Sequence, residues 1–395
     1  MRRVSFIIIG LWAYTLSIWC TSNETEKDNS QFVTANLIVA SPGDAIYSSF
    51  GHCAIRMECP EHGLDYCFSL EMDAQPGDYL KFFTGKSMAR VIAVPSEDFI
   101  LSYKEEGRGV SQHPLNLTLP EKQLLWKNLD EEMVKPPHLT FNLLKTNCAM
   151  MSIIMIENAL IGEQVVFKKM PKEMALNNGE LLRYCSNHTP WGQFIYMIFY
   201  GAVSDEQFET EYRLSPNMII DVLKGAVISS NETTEERPLF KGETKQILPQ
   251  TTQLAPHSIT PTLLFSFILI LILIITFGEW CFGWNRIAHI TDAILLVSQT
   301  GAGIIILYAS VFANLFGNRW NWYLIPFNPL PMLIWLLAHK KTHFWKIYLF
   351  YSITLIIFIS ITPLSSQLDI PHQIITIILL VRTLNCYLIG RKQNK

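Results

Sequence analysis

The chain has 395 residues, 31 basic against 34 acidic, and 49% of them are hydrophobic. The near balance of charge leaves no electrostatic case for a nucleic-acid partner, and the length exceeds one ordinary domain. The apolar residues are unevenly spread: 30–230 reads as a water-soluble domain, while 260–392 is mostly apolar runs with few acidic groups.

Met1-Arg2-Arg3 followed by the apolar stretch Val4–Trp19 has the form of an export signal or a retained anchor over residues 1–20. Cys20 invites lipidation, but bulky Trp19 stands where a small residue is expected. Ala35–Ser41 then predicts a buried strand and Pro42-Gly43-Asp44 a turn. Tyr47 follows, as a residue that lines a cleft or simply packs.

His52–Glu58 alternates, with His52, Ala54, Arg56 and Glu58 on one face and Cys53, Ile55 and Met57 on the other. Pro60-Glu61-His62-Gly63 connects it to a returning strand, Leu64–Leu70. A four-residue connection pairs Cys59 with Leu64, Arg56 with Cys67 and Ala54 with Ser69, and sets His52 opposite Glu71. Glu71, or Ser69 diagonally, is therefore the candidate that orients His52. The plainer reading of Glu71 is a surface acid.

Arg108 lies between Gly107 and Gly109, where it binds a phosphate or carboxylate or merely occupies a turn. Arg56 has the same two readings, with Glu58 as its ordinary partner. Thr118 and Pro120 predict a helix start. A second helix is expected over Ala149–Leu160, with Asn147 as its N-cap and Cys148 in its first turn. The helix dipole and free N–H groups there favour a thiolate and can receive a developing oxyanion. An inert buried thiol is the plainer reading of Cys148 alone. With His52 it forms a candidate nucleophile–base pair. Arg108, Arg56, Tyr47 and Asn147 are the candidates on the substrate side.

Cys53, Cys59, Cys67, Cys148 and Cys185 are odd in number, so at least one thiol is unpaired or pairs elsewhere. An exported domain tolerates a disulfide, with Cys53, Cys59 and Cys67 closest in sequence. No His/Cys spacing suggests zinc, and neither metal nor cofactor is expected. His62, His113, His138 and His188 read as surface residues. Residues 231–259, rich in Thr, Glu, Gln and Pro, read as a linker.

Five apolar stretches follow: Thr262–Phe277, Ala293–Ala313, Trp322–Ala338, Phe344–Pro363 and His372–Ile389. Most approach the length of about 20 residues that crosses a bilayer. Pro326, Pro329 and Pro331 predict a kinked or re-entrant third span. Arg286, Lys340, Lys341, Lys346, Arg391, Lys392 and Lys395 all fall on one side of such a bundle, which sets that side as cytoplasmic and the large domain opposite. Arg319 is the contrary charge, in a loop whose Trp320, Trp322 and Tyr323 suit the bilayer interface or touch substrate.

Several of these motifs together resemble the Lnb family of Bacteroidota. They are Ser41-Pro42-Gly43-Asp44-Ala45-Ile46-Tyr47, Phe50-Gly51-His52, Gly107-Arg108-Gly109, Asn116-Leu117-Thr118 and Asn147-Cys148-Ala149, with Asn321-Trp322 and Asn328-Pro329-Leu330 in the apolar part. Met150-Met151 departs from that family's frequent Thr-Arg, and Ser69-Leu70-Glu71 from its Asn-Tyr-Gly. The His-before-Cys order also resembles circularly permuted papain-like folds. The resemblance implies an α+β periplasmic domain followed by an all-α transmembrane domain in the bacterial inner membrane. It implies a lipoprotein N-acyltransferase, with a membrane phospholipid as acyl donor and the N-terminus of a lipoprotein as acceptor. The same pair would also serve a membrane-tethered cysteine hydrolase, and a non-enzymatic envelope binding module is the alternative outside catalysis.

Overall fold

A computed structural model describes residues 32–73, 78, 81–82, 84–168, 177–201, 215–216, 218–230, 235–251, 259–312, 321–338, 345–365 and 367–393. The signal or anchor over 1–20, Cys20, Arg319, Lys340 and Lys341 lie outside them. The strands are β1 Thr34–Ala40, β2 His52–Cys59, β3 Leu64–Met72, β4 Met88–Pro95, β5 Val110–Pro114, β6 Leu139–Thr140, β7 Glu163–Phe167, β8 Ala226–Ser230, β9 Glu236–Pro238 and β10 Lys245–Leu248. The helices of the soluble part are α1 Ser96–Glu105, α2 Leu119–Met133, α3 Cys148–Glu157, α4 Asn178–Ser186, α5 Pro190–Tyr200 and α6 Ile219–Leu223.

Seven strands form one antiparallel sheet in the order β10-β5-β1-β2-β3-β4-β6, and β7, β8 and β9 form a second. Alternation along β2 serves two layers. Cys53, Ile55 and Met57 enter the main core with Leu37, Leu125 and Ile153. Ala54 faces the other way, into a smaller cluster with Phe99 and Tyr103 of α1. The β2–β3 register is the expected one: Cys59 opposite Leu64, Arg56 opposite Cys67 and Ala54 opposite Ser69. Gly63 closes that connection at φ 63°, a left-handed conformation that a Cβ disfavours.

The linker reading of 231–259 needs correction for 235–251. β9 pairs with β8, and β10 pairs with β5. Arg237 donates to Glu121 and Glu163, and Leu239 is fully buried in the main core. Strands of three and four residues at sheet edges bury too little to leave an apolar period, so composition concealed them. The disulfide that an exported domain would tolerate is not formed: Cys53, Cys59, Cys67, Cys148 and Cys185 are all free. His113 is buried rather than superficial, between Ser111 and Thr244.

The C-terminal part is helical: α7 Pro261–Phe282, α8 Asn285–Phe312, α9 Leu330–Ala338, α10 Trp345–Ile361 and α11 Ile370–Gln393. By length and composition, α7, α8 and α11 suffice to cross a membrane. The expected break in the third stretch is present. A short 3-10 turn, Trp322–Leu324, precedes α9, and the carbonyls of Pro326 and Asn328 accept from Tyr351 and Gln299. Those donors satisfy backbone that a helix would have paired internally.

The soluble domain sits at one end of this bundle. Trp191 of α5 donates to the Ile259 carbonyl just before α7, and Gln193 donates to Asp369 just before α11. Asn321 and Gln367 donate to the carbonyls of Ile198 and Met197. The Lys86 ammonium lies over Phe312 at the end of α8. These contacts meet the start of α7, the end of α8 and the start of α11, which antiparallel crossings bring to one side.

Candidate active site

The chain enters β2 through a tight turn. Gly51 donates its N–H to the Ser48 carbonyl at 2.9 Å and takes φ 80°, a conformation that favours glycine. His52 is thereby the first residue of β2. Tyr196 of α5 donates to the Ile46 carbonyl and lies 3.0 Å from the Ser49 hydroxyl, so the helix seated on the membrane domain also holds this turn.

α3 begins where the sequence places it. The Asn147 side chain accepts from the Met150 N–H at 2.9 Å and donates to the Leu143 carbonyl at 2.9 Å. The N–H groups of Cys148 and Ala149 precede the intrahelical ladder, so the helix itself does not pair them. Asn147 is thus an N-cap that aims Cys148, not a group presented to substrate.

The first turn of α3 meets the first residues of β2. Cys148 lies close enough to the His52 side chain, and to the thiol and backbone of Cys53, for each of them to bear on its proton. His52 Nε2 lies 2.6 Å from Ser69 Oγ and 3.2 Å from Glu71 Oε1. Ser69 donates to Glu71 at 2.8 Å. With Nε2 taken by this pair, the other ring nitrogen is the one left for the sulfur. Both orienting candidates therefore act together: Ser69 is buried, and Glu71 reaches the same nitrogen from the rim.

The electrostatics follow from these contacts. Donation from the Cys53 thiol, opposed by burial and joined by the His52 charge, holds the Cys148 thiol well below its usual range. Burial alone would lower the His52 value, but the charge of Cys148, with Tyr103 and Glu71, raises it well above the ordinary imidazole. Burial raises Glu71, yet the His52 charge and the Ser69 hydroxyl bring it below the usual carboxylate range. The state these shifts favour is a thiolate–imidazolium pair backed by a carboxylate.

The substrate-side arginines are engaged elsewhere. Arg56 gives Nε and Nη2 to Asp65 at 2.8 and 2.7 Å and Nη1 to Gln112 at 2.8 Å, with Glu58 at 3.0 Å. It is a cross-strand clamp. Arg108 is buried, donates to the Ser41 carbonyl at 2.7 Å and to Glu106 at 3.0 Å, and lays its guanidinium 4.6 Å from the centre of the Tyr103 ring. Tyr103 in turn stacks on His52 at 6.4 Å. Arg108 thus supports the wall of the imidazole. Tyr47 is exposed on the turn before His52.

Two residues of this site carried no functional signal in the sequence. Alternation places Cys53 on the face of Ile55 and Met57, which is right about packing and silent about the neighbour, and nothing in the sequence singles out Tyr103. Among the described residues, no group of His, Cys, Asp and Glu could hold a metal ion.

Two family models match in tandem, the Lnb N-terminal periplasmic domain over residues 21–171 and the Lnb transmembrane domain over residues 252–394. The chain belongs to the Lnb family. His52, Ser69, Glu71 and Cys148 all lie within the periplasmic Lnb match, and α7 to α11 within the transmembrane one. This chain is thus a periplasmic α+β domain, with His52 on a strand and Cys148 on a later helix, joined to apolar helices. No curated protein and no solved structure matches the chain.

Proposed function

We propose that this Lnb protein is a lipoprotein N-acyltransferase of the bacterial inner membrane, multi-pass, with its catalytic domain in the periplasm. The contact of Cys148 with His52, backed by Ser69 and Glu71, is the observation that carries this reading. The family's membrane domain supports the reading, because it sets the site beside a bilayer.

The Cys148 thiolate attacks an ester carbonyl of a membrane phospholipid. The first-turn N–H groups of α3 receive the oxyanion. The ester C–O bond breaks, His52 gives its proton to the departing alkoxide, and a lysophospholipid leaves. The α-amine of an N-terminal diacylglyceryl-cysteine then attacks the thioester carbonyl while His52 takes its proton. The C–S bond breaks, the amide forms, and the thiolate–imidazolium pair returns. A thiol suits this two-step transfer because a thioester reacts readily with amines.

The test is mass spectrometry of the N-terminal peptide of a lipoprotein, from cells carrying the wild-type protein or Cys148→Ala. Three acyl chains are expected with the wild type, and two chains with a free amine in the variant. Persistence of the third chain in the variant overturns the assignment.

A further inference from the structure

The turn before His52 and the membrane domain are joined through α5 by contacts that the mechanism above does not use. We propose that Tyr196 is a positioning residue for His52, and that Asn321 and Gln367 of the membrane domain fix Tyr196 in turn. This rests on His52 being the base that serves Cys148.

His52 needs support that its sheet supplies on one side only. Its ladder partner on β1 is Ala40, whereas the β2–β3 pairing begins at Ala54 opposite Ser69. The turn that His52 leaves therefore sets its backbone on the open side. Tyr196 grips that turn at Ile46, Ser49 and Phe50. Its hydroxyl donates to the Ile46 carbonyl and lies 3.0 Å from the Ser49 hydroxyl, which donates to the same carbonyl at 2.8 Å. Its ring meets Phe50 edge-on, with centroids 5.3 Å apart. Tyr196 and Ser49 are fully buried, so loss of one polar partner is not made good by water.

The membrane domain caps the helix that carries Tyr196. α5 ends at Tyr200, so the carbonyls of Met197 and Ile198 lie in its last turn, without partners in the helix. Gln367 donates to the first at 3.3 Å and Asn321 to the second at 2.6 Å. Gln367 also donates to the Asn321 side-chain oxygen at 2.8 Å. That oxygen accepts from the Tyr323 N–H at 3.0 Å, and the Gln367 oxygen from the Trp322 N–H at 3.2 Å. Both carboxamides are buried, and the network leaves them one arrangement. Phe194 stacks on His372 of α11 at 4.2 Å, so α5 is held at its middle as well as its end.

The experiment uses the full-length protein in mixed micelles of phosphatidylethanolamine, without acceptor. Single-turnover acylation of Cys148 is followed by mass spectrometry at several lipid mole fractions. The amplitude counts competent molecules, and the rate constant reports their geometry. Tyr196→Phe keeps the ring against Phe50 and removes the hydroxyl. It is expected to slow maximal acylation about tenfold to a hundredfold, with amplitude and half-saturating mole fraction unchanged. Asn321→Ala is expected to do the same. Should Asn321→Ala not fold, Gln367→Met removes the other donor at similar length and gives the same readout. An undiminished rate constant in Tyr196→Phe, or in the folded membrane-domain variant, overturns the proposal. So does a raised half-saturating mole fraction at an unchanged rate constant, which would place these residues in lipid binding. Absence of acylation at Cys148 in the wild type overturns the nucleophile reading itself, and the proposal with it.

Discussion

His52 joins two kinds of partner, a sulfur on one side and the Ser69–Glu71 pair on the other. The depressed thiol and the raised imidazole have a consequence for pH. The ion pair exists above the Cys148 value and below the His52 value, and the two shifts both act to widen that window. Turnover is expected to fall in acid as the thiolate takes a proton, and in alkali as the imidazolium loses the one it gives the leaving group. A profile of turnover against pH that peaks only above the ordinary thiol range would contradict this. Ser69→Ala keeps the base and removes its inner support. It is expected to lower turnover roughly tenfold to a hundredfold, less than the roughly hundred- to ten-thousandfold carried by a general base. Turnover equal to that of the wild type in a folded Ser69→Ala would make the serine a bystander.

At the scale of elements, the hairpin was legible because its connection has four residues, Pro60 to Gly63, and loop length fixes register. Register then delivered Ser69 and Glu71 to the imidazole. The start of α3 was legible for a different reason, a side-chain cap at Asn147. Asn147→Ala is expected to cost about 1 kcal/mol of stability and to slow Cys148 alkylation, with Asn147→Asp retaining the cap. Calorimetry and labelling rate measure the two effects; an unchanged labelling rate would separate cap from nucleophile. Other elements were not legible. Met88–Pro95 is apolar at every position but Arg90, so it shows no sustained period of two and could equally belong to a helix. β10 is a four-residue edge strand whose partners lie more than a hundred positions upstream. The arginines were legible in part: the sequence offers Glu58 as the partner of Arg56, and the two pair, but it does not show that Asp65 and Glu106 are folded against Arg56 and Arg108.

Over the whole molecule, α5 is the joint. One side of it holds the turn before His52 through Tyr196, and its backbone accepts from Asn321 and Gln367 of the membrane domain. Deeper in the bundle, Arg382 of α11 pairs with Asp292 of α8 and Glu279 of α7 at 2.7 and 3.0 Å. Asn385 donates to the same Glu279 at 2.7 Å. This network ties the three longest helices together. Arg382→Met strands two carboxylates and is expected to destabilise the bundle by about 3–5 kcal/mol, read as a lowered melting temperature. An unchanged melt would show that water already satisfies them. The contacts at the ends of α7, α8 and α11, with the basic residues at the opposite ends, set the expected sidedness. In spheroplasts, a membrane-impermeant maleimide is expected to label Lys224→Cys and to spare Lys392→Cys, and the reverse pattern would turn the catalytic domain to the wrong side. The most direct measurement is mapping of the acyl-enzyme. The purified protein is incubated with phospholipid and no acceptor, digested, and searched for a hydroxylamine-labile acyl chain. The chain is expected on the peptide bearing Cys148 and to be lost in His52→Ala; an acyl chain on any other residue, or transfer that proceeds with Cys148 replaced by alanine, would contradict the Cys148–His52 chemistry.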